Sequence, residues 1–220
     1  MPDKEKRTER IYFIDAYFKD LEDKVAFLDD LFRQKRSDEA LILCCCYIEG
    51  LAGNYYWPEE RSFFNFVRIF EELSEDEIFR YIHLKQLKVG FESARNKKLN
   101  KISKSIETIL PDLNQKLITK TETQEAIEPH LPKDEVAIFQ DNLWRGTIAA
   151  LAYQQLRNLA VHNLGAIDIS FSTTKFKGDI MPNLDFKLLQ PALKIIIGKL
   201  KKVSLDSGYW YGHNYGNNVT

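Results

Sequence analysis

The stretch DEALILCCCYIEGLAG, residues 38–53, decides the fold. Between its opening acids and Gly53 the one charged side chain is Glu49. Nothing in it alternates with the period of a half-buried strand. Ser37 stands where an N-cap belongs, Asp38 and Glu39 occupy the first turn, and Gly53 with Asn54 forms a stop, so the segment reads as a helix over 38–52. A helix that is apolar nearly all round has to be covered on several sides, which places it at the centre of a helical bundle. Its three contiguous cysteines, Cys44, Cys45 and Cys46, point in different directions on a helix and form neither a metal cage nor a disulfide framework. They read as small core residues in a reducing compartment.

The flanks supply the other helices. Over 9–34, Ile11, Ile14, Phe18, Leu21, Val25, Leu28 and Phe32 recur at helical spacing, with charged residues on the opposite face. After the aromatic cluster Tyr55, Tyr56 and Trp57, Pro58 suits a first helical turn, and Phe63, Phe66, Val67 and Phe70 form a stripe. The aromatic cluster reads as core or interface, with base stacking as the alternative. Ser74, Glu75 and Asp76 predict a helix over 75–88, broken at Gly90.

Residues 91–132 change character: a polar, basic helix with a thin stripe of Leu99, Ile102, Ile106 and Ile109, then TKTETQEAIEPHLP, which reads as loop. This is taken as an insertion within a single domain spanning 1–220. Its lysines Lys97, Lys98, Lys101 and Lys104 are the candidate phosphate track for RNA, with a plain solvated face as the alternative. Lys133, Asp134 and Glu135 then open a helix carried from Val136 to His162 and closed by Gly165. Ile167, Ile169 and Phe171 alternate as a short strand whose return lies in GDIMPNLDFKLL, residues 178–189. A last helix covers about 185–204, and the Gly-, Tyr- and Asn-rich tail, 206–220, is expected to be mobile or to pack as a loop. The expected fold is therefore all-α: an antiparallel helical bundle with a small β-hairpin before the C-terminal helix.

The net charge is −1, so no global basic field advertises nucleic acid. No apolar run is long enough to span a membrane. The opening MPDKEKRTER lacks the apolar core of a secretory signal, and a cytoplasmic location is expected. His83, placed on the helix over 75–88, His130 and His213 share no ligand spacing, so neither a metal nor another cofactor is expected.

The chemistry, if there is any, sits in QQLRNLAVHNLG, residues 154–165. RNA carries its own nucleophile, the 2′-hydroxyl. Its cleavage needs a base for that proton and a cation for the phosphorane oxygens. Histidine titrates near neutral pH, and the guanidinium fork fits phosphate oxygens. Arg157 and His162 supply one of each, and Asn158 adds an amide. Five residues apart on an ideal α-helix, the two point about 140° away from each other, so the last turn must deform or a second chain must complete the site. Without that, His162 is a helix-end residue on the macrodipole and Arg157 a snorkelling side chain.

LRNLAVHN resembles the Arg-x4–6-His signature of the HEPN superfamily, the higher eukaryotes and prokaryotes nucleotide-binding domains, and DEALILCCCYIEGLAG is similar to that family's buried second helix. The resemblance implies a metal-independent endoribonuclease, acting as a homodimer whose two Arg–His pairs line one cleft and leave a 2′,3′-cyclic phosphate. It implies Arg157 on the phosphate, His162 as acid and base, and Asn158 assisting. It also implies a toxin or anti-phage defence role with an antitoxin or defence-system partner. Where one subfamily has a modifiable tyrosine, two residues after the histidine, this chain has Leu164. The rival expectation is a non-catalytic HEPN module that binds RNA, nucleotide or a partner protein. An accidental motif on a helical scaffold is a third.

Overall fold

The computed structural model describes residues 2–57, 62–110, 116–157 and 170–213, with side chains from residue 6 onward. The fold is all-α, a helical bundle with a small β-hairpin before the C-terminal helix. Its contacts divide the chain into two compact units, residues 1–75 with 186–220 and residues 76–185.

The first unit holds α1 (Pro2–Arg33), α2 (Ser37–Tyr55), α3 (Ser62–Leu73) and the C-terminal helix, Phe186–Ser207. The α1 stripe is buried at Ile14, Phe18, Leu21, Val25 and Leu28, while Ile11 and Phe32 at its ends are half-buried and Leu31 joins the core. Helix α2 packs against α1, α3 and the C-terminal helix, the central position its composition predicts. Its burial is one-sided, however. Cys44 and Cys45 are in the core while Cys46 is exposed, as are Gly50 and Gly53. Ser37 is the first helical residue rather than the cap. Arg36 takes the cap position, where its Nε donates to Glu39 Oε1 at 3.1 Å. The C-terminal helix is tied to α1 at Asp29, whose carboxylate accepts from Gln190 Nε2 at 2.7 Å and Lys194 Nζ at 2.9 Å.

The second unit departs further from expectation. The helix expected over 75–88 is instead a 3-10 turn, Glu77–Arg80, then a two-residue strand β1, Ile82–His83, then α4, Leu84–Ser93, which runs through Gly90. Asp76 caps the turn by accepting from Ile78 N at 3.1 Å, so the acids read as a helix start hold only a single turn. Helix α5, Lys97–Ile109, is capped by Asn96, and β2, Leu117–Ile118, pairs antiparallel with β1. TKTETQEAIEPHLP is a helix rather than a loop: Thr119 and Glu122 form a reciprocal capping box for α6, Lys120–Ile127. These elements surround a core of their own, in which Leu84, Leu87 and Phe91 meet Leu99, Ile102, Ile106, Ile127 and Phe139.

The helix expected from Val136 to His162 is interrupted. Helix α7, Lys133–Gln140, ends early, a 3-10 turn covers Leu143–Gly146, and α8, Ile148–Leu151, begins afresh behind Thr147. Two side chains make the break. Asn142 Nδ2 donates back to Ile138 O at 2.9 Å, closing α7, and Thr147 Oγ1 accepts from Ala150 N at 3.2 Å, opening α8. Gly146 sits where backbone and core nearly touch: a Cβ there would lie 2.6 Å from Leu87 Cβ.

The hairpin also lies later than expected. Residues 170–174 are not strand. β3, Lys175–Phe176, pairs with β4, Asp179–Ile180, around Lys177 (φ 53°) and Gly178 (φ 93°). Two positive φ values in a two-residue loop match the twist of the flanking strands. The helix after it, α9, is the C-terminal Phe186–Ser207 already described.

Candidate functional site

Arg157 ends a stretch of unusual winding. From Thr147 the chain enters α8 through Ile148, Ala149, Ala150 and Leu151, all buried. From Ala152 to Arg157 the winding widens to a π-helix. Such turns are rare and are frequently found at functional sites. Ala152 and Leu156 face the core, and Gln155 Nε2 donates to Gln86 Oε1 on α4 at 3.1 Å. Arg157 is half-buried, with its guanidinium carbon 5.2 Å from the centre of the Tyr153 ring, one turn back. At that distance the guanidinium cation is within reach of the ring's negative face.

Asn158 and His162 lie outside the described residues, as do Leu164, Gly165, and Ile167 and Ile169 of the expected strand. The structure therefore positions the arginine of the sequence motif.

The four candidate RNA lysines all project from exposed positions on α5, but they are not equivalent. Lys98 Nζ lies 2.6 Å from Asp134 and Lys101 Nζ 2.8 Å from Glu135. Both acids belong to the first turn of α7, outside the basic window read from the sequence. The bond to Glu135 also holds the Lys101 ammonium above its ordinary pKa. Lys104 and Lys101 flank an open depression of about 360 Å³ that also meets His130. Lys88 is likewise engaged, 2.8 Å from Glu107.

One polar group has surroundings that the sequence reading did not anticipate. His83 sits on β1 at the start of α4, rather than inside a helix, and is buried. Its Nε2 is 3.0 Å from Thr174 Oγ1, its ring packs 5.1 Å from that of Phe171, and its Nδ1 has no hydrogen-bond partner. Burial, assisted by nearby Lys85, pushes its pKa down to about 4. No local motif announces it, because its partner is 91 residues away. Among the described residues no group of three or more His, Cys, Asp or Glu side chains is arranged to hold a metal.

Comparison of the chain with protein-family models, with curated proteins and with solved structures gives no match.

Proposed function

We propose that the chain is a metal-independent endoribonuclease of HEPN type, in which Arg157 holds the scissile phosphate and His162 moves the proton. The observation that supports this most is the π winding through Ala152–Arg157. Regular α-helical winding sets residues five apart on different faces, whereas i and i+5 are the hydrogen-bonded pair of a π-helix and lie close together. The winding is thus already widened in the turn that leads into the arginine, in the sense the Arg–His pair requires of the turn that follows. In the reaction the 2′-oxygen attacks phosphorus as it loses its proton to His162. The P–O5′ bond breaks, the 5′-oxygen takes a proton from the imidazolium so formed on His162, and a 2′,3′-cyclic phosphate remains. Arg157 compensates the charge on the non-bridging oxygens. Asn158 assists, a second copy of the chain completes the cleft, and the setting is a toxin or defence system controlled by a partner protein.

The test is cleavage of mixed single-stranded RNAs in EDTA by the wild type, Arg157→Ala and His162→Ala. Loss of cyclic-phosphate products in both variants is the expected result. Equal cleavage by all three removes the pair from the mechanism. The ion pairs on Lys98 and Lys101 favour a second reading, a non-catalytic module, to the extent that they weaken the basic track. That reading requires binding without cleavage, surviving His162→Ala.

A further inference from the structure

The first unit contains an open cavity of about 540 Å³ lined by Tyr17, Asn54, Trp57, Trp210 and Tyr211. Four of these five side chains are Tyr or Trp, and none is charged. Tyr17 comes from α1, Asn54 from the last turn of α2, and Trp57 from just beyond it. Trp210 and Tyr211 come from the tail, the segment the sequence left as mobile or loop. Its first part instead forms a 3-10 turn, Trp210–Gly212, packed on α1.

Three observations set this cavity apart from an accident of packing. The first is strain. Tyr211 has φ 53° and ψ 21°, a left-handed conformation that a bulky side chain rarely adopts. It is held there from both ends: its N–H donates to the buried Ser204 Oγ at 2.8 Å, and its hydroxyl lies 2.9 Å from that of Tyr17. The fold invests in the placement of this one ring.

The second is wall geometry. The Tyr17 and Trp210 rings are 5.1 Å apart at 86°, so two aromatic walls meet at a right angle. Trp57, 58% exposed, leaves a large indole surface at the rim. Perpendicular electron-rich walls surround a rounded group better than they sandwich a flat one.

The third is charge. Among the described residues the lining holds no charged side chain, and so no cation that would accompany a phosphate.

We infer that this cavity is an aromatic cage for a methylated ammonium cation, of the trimethylammonium class. Indole and phenol rings attract such a cation through their quadrupoles, most strongly indole. The methyl groups remove the tightly held hydration shell of a primary ammonium, so the ring contacts are not opposed by a large desolvation penalty. Asn54, whose Nδ2 reaches Tyr211 Oη only at 3.5 Å, is loosely held and is the polar group beside the cage. The proposal does not depend on the ribonuclease reading.

The experiment is titration of the full chain with tetramethylammonium chloride at constant ionic strength, followed by tryptophan fluorescence. Choline is titrated in parallel, with 3,3-dimethylbutan-1-ol as its uncharged isostere. Saturable binding of both cations, with the isostere at least about tenfold weaker, is expected. Trp57→Ala, at an exposed position that leaves the core intact, weakens cation binding about tenfold, and Trp57→Phe weakens it less. Equal binding of the isostere, no saturable binding of either cation, or saturable binding of adenosine or uridine in their place overturns the assignment. Trimethyllysine peptide, glycerophosphocholine and phosphatidylcholine vesicles then identify the source. Whichever binds more tightly than tetramethylammonium carries the natural group. If none of the three does, a free small cation is the ligand.

Discussion

His83 and Thr174 meet at 3.0 Å inside the second unit, and the other ring nitrogen of His83 has no hydrogen-bond partner. A stranded N–H is costlier than a stranded lone pair, so the neutral tautomer with its proton on Nε2, donated to Thr174, is the one the site favours. The bond ties β1 to the chain just before β3.

Acid therefore weakens the fold through this ring. The folded pKa is about 4, against about 6.5 for the unfolded chain. Between those values the unfolded state binds the proton and the folded state does not. The contribution is fully present above about pH 6.5 and falls as the pH drops toward 4, by up to about 3 kcal/mol. Guanidinium unfolding of the wild type and His83→Phe at pH 7.5, 6, 5 and 4.5 checks it. The variant loses the part of the pH dependence that belongs to the imidazole. Parallel curves would mean that His83 titrates normally in the fold.

Gly146 has no room for a methyl group. Its Cβ would meet Leu87 Cβ at 2.6 Å and Ile82 Cγ2 at 3.0 Å, both in the core under α4. Gly146→Ala is expected to destabilise by about 1–3 kcal/mol. Adding Leu87→Gly removes the Cβ that the new methyl meets, so the double variant is less destabilised than the sum of the two single changes. Additive effects in chemical denaturation would place the cost elsewhere.

The Lys101–Glu135 pair is asymmetric. Glu135 is 5% exposed, whereas Lys101 reaches it from the surface. Lys101→Ala strands a buried carboxylate and is expected to destabilise by about 1–3 kcal/mol, more than Glu135→Gln, which leaves an amide acceptor and a solvated lysine. Lys97→Ala and Lys104→Ala should leave the melting temperature within about 1 °C of wild type, in keeping with the small effect of surface changes. If α5 tracks RNA, each of these two also lowers the salt dependence of binding by about one counterion. A slope unchanged by both removes α5 from the interface.

Arg157 is the residue on which the ribonuclease proposal can fail fastest. Arg157→Lys keeps the charge but loses the planar fork that lies near Tyr153, and Arg157→Ala loses both. The expected loss in kcat for the alanine variant is at least about a hundredfold, with the lysine variant intermediate. A fall in KM-dependent binding alone, with kcat intact, would make Arg157 a binding residue instead.

The bundle was legible because long, periodic segments state their own burial. α1 and the C-terminal helix carry their stripes without interruption, and α2 is too apolar to lie anywhere but among other helices. The second unit was less legible because its elements are short and are defined by caps. Asn96, Thr119, Asn142 and Thr147 each start or stop a helix with a side-chain hydrogen bond. A search for apolar periodicity passes over such residues, so the interrupted 136–157 segment reads as one helix and α6 as a loop.

The candidate sites divide in the same way. The amino-acid sequence alone determined which side chains can do chemistry, because charge, titration range and ring type are local properties: Arg157, the α5 lysines, and the Tyr and Trp residues at the end of α2 and in the tail. Tertiary structure alone decided what surrounds them. It took Lys98 and Lys101 into ion pairs with α7, buried His83 against Thr174, widened the helix at Arg157, and brought Trp210 and Tyr211 back against Tyr17 across nearly two hundred residues. Electrostatics and packing depend on distance in space, and the closure of a chain on itself sets those distances.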